Sequence, residues 1–215
     1  MKKMKRMAAL ILSCALAAVC PVMGSQAEED TRKDFVFGDY VGDVDPASGA
    51  YAWVGMRIGV MESLFKLDDS MTVQKNLVDD YSVSDDGLVW TIKLRDNVQF
   101  QSGKPMDADA GKASLERTCS MQSRAESELD IASMEADGNV LTITTKKPNP
   151  VLPNCLCDPY SGIVDVKSIG DDGDATVGTG PFKLVEYVEN ERMELDAFDD
   201  YWAGKPASKH VTIRS

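Results

Sequence analysis

Two stretches in which every second side chain faces the same way constrain the fold of this chain most. In the first, from Trp90 to Leu94, the apolar residues alternate with threonine and charged residues; in the second, from Leu141 to Thr145, they alternate with threonines. A period of two predicts half-buried β-strands. Further strands are predicted at 35–37, 182–187, 193–198 and 211–213.

Helical spacing occurs between these strands. Asp107 stands where it can cap a helix from about Ala108 to Cys119, with Arg117 on the outer, solvated face. A second helix is predicted from Tyr51 to Phe65, because apolar residues recur there at helical intervals. Interleaved helices and strands, with antiparallel neighbours, predict an α/β chain of the mixed α+β type.

The first 27 residues have the layout of a secretory signal peptide. Four basic residues precede an uncharged apolar run from Met7 to Val19, which is too short to span a bilayer as a helix. Ser25-Gln26-Ala27 fits a cleavage site, so we expect a mature chain of residues 28–215. The alternative is a lipoprotein that begins at Cys14 or Cys20. Either form would be exported, to the periplasm or to the outer face of the cytoplasmic membrane.

The charge of the chain argues against one class of partner. The formal net charge is -12, and removal of residues 1–27 takes away four basic residues and no acidic ones. An acidic surface of this kind repels nucleic acid, so nucleic-acid binding is excluded.

Three cysteines remain after export, at Cys119, Cys155 and Cys157. An oxidising compartment favours a bridge between Cys119 and one of the other two, because a bridge between Cys155 and Cys157 would be strained. The alternative is that all three are buried thiols. His210 is the only histidine, so neither a metal site nor a catalytic base is predicted.

Four motifs in order point to a family. They are Leu88–Asp109 (LVWTIKLRDNVQFQSGKPMDAD), Ala113–Arg117 (ASLER), Gly178–Phe182 (GTGPF) and Tyr201–Pro206 (YWAGKP). Together they resemble the family 5 extracellular solute-binding proteins, the dipeptide, oligopeptide and nickel receptors of ABC importers. The motifs themselves have a scaffold explanation: Gly178 and Gly180 permit unusual backbone angles, and Trp202 is expected to be an apolar plug.

The resemblance implies a periplasmic-binding-protein-like fold of two lobes that close on a ligand. It implies no cofactor and no enzymatic activity, but capture of a small solute, most simply a di- or oligopeptide, for delivery to membrane permease subunits. A nickel or metallophore complex is the alternative ligand, and a non-transport interaction module is an alternative role.

Members of the resembled family are longer than this chain. We therefore expect residues 28–215 to form most of the first lobe, without the second. A single lobe contacts only one side of a ligand, so an affinity weaker than about a millimolar is expected from it. Exposed strand edges would also favour self-association.

The candidate ligand contacts follow from the resemblance, which places them after the first strand and after the second hairpin. In this sequence those segments are Tyr51–Val54 and Leu156–Gly162. Their aromatic and polar members are the predicted contacts: Tyr51, Trp53, Asp158 and Tyr160. Arg117 and Arg124 are weaker candidates for holding a ligand carboxylate.

Overall fold

The computed structural model describes residues 31–48, 53–171 and 173–215. The described strands are β1 (Lys33–Gly38), β2 (Phe65–Leu67), β3 (Val73–Lys75), β4 (Val78–Val83), β5 (Val89–Leu94), β6 (Ile131–Asp137), β7 (Val140–Thr145), β8 (Phe182–Val188), β9 (Arg192–Ala197) and β10 (Ser208–Arg214). The described helices are α1 (Trp53–Arg57), α2 (Ala108–Met121), α3 (Ser123–Leu129) and α4 (Leu152–Cys155), with 3-10 turns at Pro159–Ser161 and Val166–Ser168.

One antiparallel sheet has the strand order β4-β5-β7-β6. The two strands predicted from alternation, β5 and β7, are its central pair, and Trp90 lies opposite Ile143 in their register. Their apolar faces are buried with Leu115 of α2 and Leu129 of α3 in one core. The predicted strands and the predicted capped helix are therefore confirmed.

The second four-stranded sheet has the order β1-β10-β9-β8, in which β1 runs parallel to β10 and the other pairs are antiparallel. Its buried side packs into a separate core that includes Val60, Leu195 and Ile213. A small hairpin of β2 and β3 completes the strands described. The fold is thus mixed α/β with antiparallel hairpins, as predicted.

The predicted helix from Tyr51 to Phe65 is wrong beyond Arg57. Ile58 and Met61 are buried as the spacing required, but the backbone leaves the helix where Gly59 adopts a φ of +77°. The amides of Val60 and Met61 both donate to the carbonyl of Gly55, which ends α1. The chain then extends, and Phe65 begins β2.

Gln101 joins the two cores. Its buried side-chain Nε2 donates to the carbonyl oxygens of Val60, Gly180 and Phe182, and its Oε1 accepts from the amide of Gly178. The backbones are close here: a Cβ on Gly180 would lie 2.3 Å from the carbonyl oxygen of Gly59. A side chain at Gly180 would not fit in this contact, so the glycines of the GTGP motif serve the packing of the fold.

Trp202 packs against the first core as the plug prediction requires, but it is only partly buried and also has polar partners. Its Nε1 donates to Glu62 Oε2 at 2.9 Å, Tyr201 donates its hydroxyl to Glu62 Oε1 at 2.8 Å, and Thr179 donates to Oε2 at 3.0 Å. The guanidinium of Arg95 lies over the indole ring, 4.9 Å from its centroid. Tyr201 and Trp202 therefore both bind the carboxylate of Glu62, which is distant from them in the sequence.

The three cysteines of the described residues are unpaired, so the predicted bridge from Cys119 is not formed in the structure. Cys119 lies on α2, near Glu126 and Lys146, whereas Cys155 and Cys157 lie at the end of α4. Burial raises the pKa of all three thiols, that of Cys157 to about 11.

No helix in the described part of the chain is long and apolar enough to cross a membrane.

Candidate functional site

The two segments that sequence analysis proposed for ligand contact adjoin in the structure. Helix α1 packs against the 3-10 turn Pro159–Ser161. Beside them, a Cβ on Gly162 would lie 3.3 Å from the Cβ of Pro46, so Gly162 lies close to the Pro46 ring. Trp53, Asp158 and Tyr160 therefore belong to neighbouring elements. Tyr51 lies outside the described residues.

Asp158 and Tyr160 are part of a network of hydrogen bonds and ion pairs with α3. Arg124 donates from Nη2 to Asp158 Oδ2 at 2.7 Å and from Nε to Glu128 Oε1 at 2.9 Å. The hydroxyl of Tyr160 donates to Glu128 Oε2 at 2.9 Å, and the Arg124 guanidinium lies 5.2 Å from the centre of the Tyr160 ring. Arg124 thus connects Asp158, Glu128 and Tyr160.

Burial and charge set the protonation of this network. Tyr160 is 1% exposed, and desolvation, followed by its bond to Glu128, raises the pKa of its hydroxyl far above the ordinary value. Hydrogen bonding from Arg124 lowers the pKa of Glu128. The tyrosine therefore stays neutral and donates, while Glu128 is ionised. The side chain of Arg124 remains 59% exposed and presents positive charge to solvent.

Trp53 begins α1 and has its own cationic neighbour. The Arg57 guanidinium lies 5.2 Å from the centre of the Trp53 ring, and the ring of Tyr40 is 6.0 Å away. Arg57 is also ion-paired with Asp39 through Nε at 2.9 Å. The start of α1 therefore combines aromatic surface with a guanidinium.

Arg117 does not have the role that the sequence suggested. It was expected on a solvated helix face, or holding a ligand carboxylate, but its side chain is only 11% exposed and its partner is Asp45. Nη1 and Nη2 donate to the two carboxylate oxygens at 2.8 and 2.5 Å, and this hydrogen bonding raises the pKa of Arg117. The Arg117 guanidinium is therefore already paired with the carboxylate of Asp45 and does not face a ligand carboxylate.

Asp45 and Glu128 are the partners that sequence reasoning missed. Glu128 follows Arg124 by four residues, a spacing that allows an ion pair on one helix face. Asp45 stands before Pro46 in a turn-rich stretch, and nothing local to the sequence indicates that it binds a helix far along the chain. Within the described ranges, no three histidine, cysteine or acidic side chains group to hold a metal ion.

The family model of bacterial extracellular solute-binding proteins, family 5 Middle, matches residues 72–215 of the chain. Among curated relatives, the nickel-binding protein NikA of Staphylococcus aureus is 36% identical over 160 residues, which is 74% of this chain and 32% of NikA. The glutathione-binding protein GsiB of Escherichia coli K12 is 30% identical over 215 residues, 96% of this chain and 40% of GsiB.

Solved structures of similar proteins have the same fold. NikA of Staphylococcus aureus in complex with Ni(L-His)2 has a TM-score of 0.78 and 33% identity, covering 85% of this chain and 39% of NikA. A nickel ABC transporter protein of Bacillus halodurans has a TM-score of 0.77 and 38% identity, covering 85% and 38%.

This chain spans about a third to two fifths of the length of these relatives. The family model nevertheless covers well over half of the chain, and the fold agrees with that of solved members. The chain therefore belongs to the family 5 bacterial extracellular solute-binding proteins.

Proposed function

We propose that this chain forms one lobe of the solute-binding component of an ABC importer, in which residues 28–215 supply one wall of the ligand cleft. The observation that carries the proposal is the meeting of α1 with the turn Pro159–Ser161. The candidate contacts come from distant parts of the sequence and adjoin in the fold, as a binding wall requires. The component acts by binding and release, and its partners are permease subunits in the membrane.

The chemistry of this wall suits a ligand derived from amino acids. Arg124 is 59% exposed and pairs with Glu128 and Asp158 through Nε and Nη2, so its other amino group can bind a ligand carboxylate. Asp158 is 24% exposed and shares its carboxylate with Arg124, where it can also accept from a ligand amino group, and Trp53 offers aromatic surface. An amino acid presents both charges within a few bonds. The same groups would contact either a short peptide or the amino-acid part of a metal chelate.

We place a nickel chelate first among these ligands. The nickel-related proteins of Staphylococcus aureus and Bacillus halodurans, at 33–38% identity, support this choice. The peptide that sequence analysis favoured becomes the second candidate, supported by the similarity to GsiB over 96% of the chain. Either ligand would be captured outside the cytoplasm.

A pair of chimaeras tests which of the two ligands this chain binds. Residues 32–215 would replace the matching part of Staphylococcus aureus NikA in one protein and of Escherichia coli GsiB in the other. Calorimetry would titrate each with nickel plus L-histidine and with glutathione. We expect the NikA chimaera to bind the nickel complex within about tenfold of its parent, and the GsiB chimaera to lose glutathione affinity.

Both unmodified parents serve as controls, and thermal melting would establish that each chimaera folds. Retention of glutathione binding together with loss of the nickel complex would reverse the order of the two ligands. If both folded chimaeras bound neither ligand, the proposed function would be wrong. The 215-residue chain alone should bind each ligand more weakly than about a millimolar.

Cleavage of the signal peptide after Ala27 stays a prediction from the sequence. Residues 1–27 lie outside the residues that the structure describes. Mass spectrometry of exported material should give a chain that starts at Glu28 and carries no lipid. A diacylated amino terminus at Cys14 or Cys20 would show the lipoprotein alternative instead.

A further inference from the structure

We infer that the buried ion pair of Asp45 and Arg117 positions the segment that carries Trp53 toward the ligand. This inference rests on the proposed function, because Trp53 is a ligand contact only if that proposal holds. Asp45 and Arg117 do not themselves face the ligand. Asp45 and Arg117 are positioning residues, acting through residues 44–48 and the contact of Val44 with Gly55 of α1.

The carboxylate of Asp45 is saturated with hydrogen bonds from three parts of the chain. Oδ1 accepts from the amide of Ala47 at 2.8 Å, and Oδ2 accepts from the amide of Ala175 at 3.0 Å, in addition to the two bonds from Arg117. Arg117 also donates to the carbonyl oxygen of Gly173 at 3.0 Å. The pair therefore connects α2 to two loops at one point.

Burial makes the pair a strong constraint. The side chains of Asp45 and Arg117 are 3% and 11% exposed. Removing one member of such a pair leaves the other charged and desolvated, which costs far more than breaking an exposed pair. The bidentate geometry also fixes the orientation of the carboxylate, and so of the backbone beside it.

The constraint reaches the ligand segment through contacts of residues 44–48 with α1 and with the end of α2. Both the amide and the hydroxyl of Ser48 donate to the carbonyl oxygen of Asp45, and Gln122, which follows the last residue of α2, donates to the carbonyl oxygen of Pro46 at 3.1 Å. Residues 45–48 are thus held against α2. Trp53 opens α1 five residues later, and Gly55 of that helix packs against the carbonyl oxygen of Val44.

Hydrogen exchange measured by mass spectrometry on the 215-residue chain tests the positioning. In Asp45→Asn and Arg117→Gln variants, amides of residues 43–48 and 53–60 should exchange at least tenfold faster, while those of β5 keep their wild-type rates. Arg117→Lys, which keeps the charge but loses the bidentate contact, should be intermediate. Lys112→Gln on the same helix removes an exposed pair with Glu116 and should change neither region.

Faster exchange throughout the chain, or in neither region, would overturn the inference. The first result would mean that the pair only stabilises the whole fold, and the second that the segment is held by other contacts.

A double-mutant cycle in the NikA chimaera adds a functional readout. Asp45→Asn should weaken binding of the nickel–histidine complex about tenfold. Combined with Trp53→Ala, it should weaken binding no further than Trp53→Ala alone, because both changes remove the same contact. Additive losses would overturn the inference. If the unmodified NikA chimaera does not bind the nickel complex, nickel is not the first ligand, and the exchange experiment still decides whether the pair positions the segment.

Discussion

At the scale of single residues, Gln101 makes four side-chain hydrogen bonds to the backbone of distant segments. Its amide bonds to three carbonyl oxygens and one backbone amide, all of them at the junction of the two cores. Leucine at this position would remove all four of these bonds to buried backbone groups, of which the Val60 carbonyl would keep its bond from the amide of Gly180. We expect Gln101→Leu to lower the free energy of unfolding by about 3 kcal/mol.

Urea denaturation would measure this loss. Gln99 provides the matched control, since it lies two residues away and its side chain makes only one long contact, at 3.5 Å, to the carbonyl oxygen of Asp200. Gln99→Leu should change stability by less than about 0.5 kcal/mol. Equal effects of the two substitutions would contradict the role assigned to Gln101.

His210 lies on β10 among acidic side chains. Its Nδ1 is 2.7 Å from Asp196 Oδ1 and its Nε2 is 2.9 Å from Glu194 Oε2, both on β9. On the other side, β1 places Asp34 opposite His210 in the strand register. Hydrogen bonding to Asp196, and then to Glu194, raises the pKa of His210 above its ordinary value of 6.5.

A raised folded pKa predicts the direction of a pH effect. The stabilisation from protonated His210 is fully present below the unfolded pKa of about 6.5, and it is lost as pH rises through the higher folded pKa. The stability advantage of wild type over His210→Gln should therefore be largest near pH 6 and decline toward pH 9. Urea unfolding at several pH values would measure it, and an advantage that grew with pH would contradict the assignment.

At the scale of elements, α2 depends on its cap. Asp107 has an extended backbone conformation and accepts from the amide of Ala110 at 2.9 Å, which satisfies one of the free amides of the first turn. We expect Asp107→Ala to destabilise the protein by about 1 kcal/mol, measured by thermal or urea unfolding. Asp85→Ala, in the exposed turn before β5, should have little effect. A similar loss from both would mean that the cap bond is not the cause.

At the scale of the whole molecule, β1 is an edge strand with apolar side chains in solvent. Phe35 is 54% exposed and Val36 is 60% exposed, and they point to opposite faces of the strand. Unprotected apolar edges pair with other chains. We expect the 215-residue chain to self-associate at tens of micromolar and Val36→Lys to reduce this association, as measured by sedimentation equilibrium.

The opposite edge of the same sheet is the internal comparison. On β8, Val185 is 53% exposed. If Val185→Lys restored the monomer and Val36→Lys did not, the associating edge would be β8. A chain that stayed monomeric without either substitution would contradict the prediction from exposed edges.

The sequence by itself determined those features that depend on neighbours along the chain. The alternation in β5 and β7 specifies which faces are buried, and the position of Asp107 specifies where α2 begins. These follow from short-range geometry: a strand repeats every two residues, and a cap bonds within its first turn. The resemblance to the family also suggested the two ligand segments, which lie outside the four motifs and stay a prediction.

Only the tertiary structure decided the partners of Arg117, Glu62 and Gln101. Their carboxylates, hydroxyls and carbonyl oxygens come from parts of the chain that no local pattern connects to them. The same holds for the end of α1: the apolar spacing continues to Phe65, but Gly59 turns the backbone where it must pass Gly180. Periodicity reports which side chains are buried, whereas the contacts that bury them depend on how distant segments pack together.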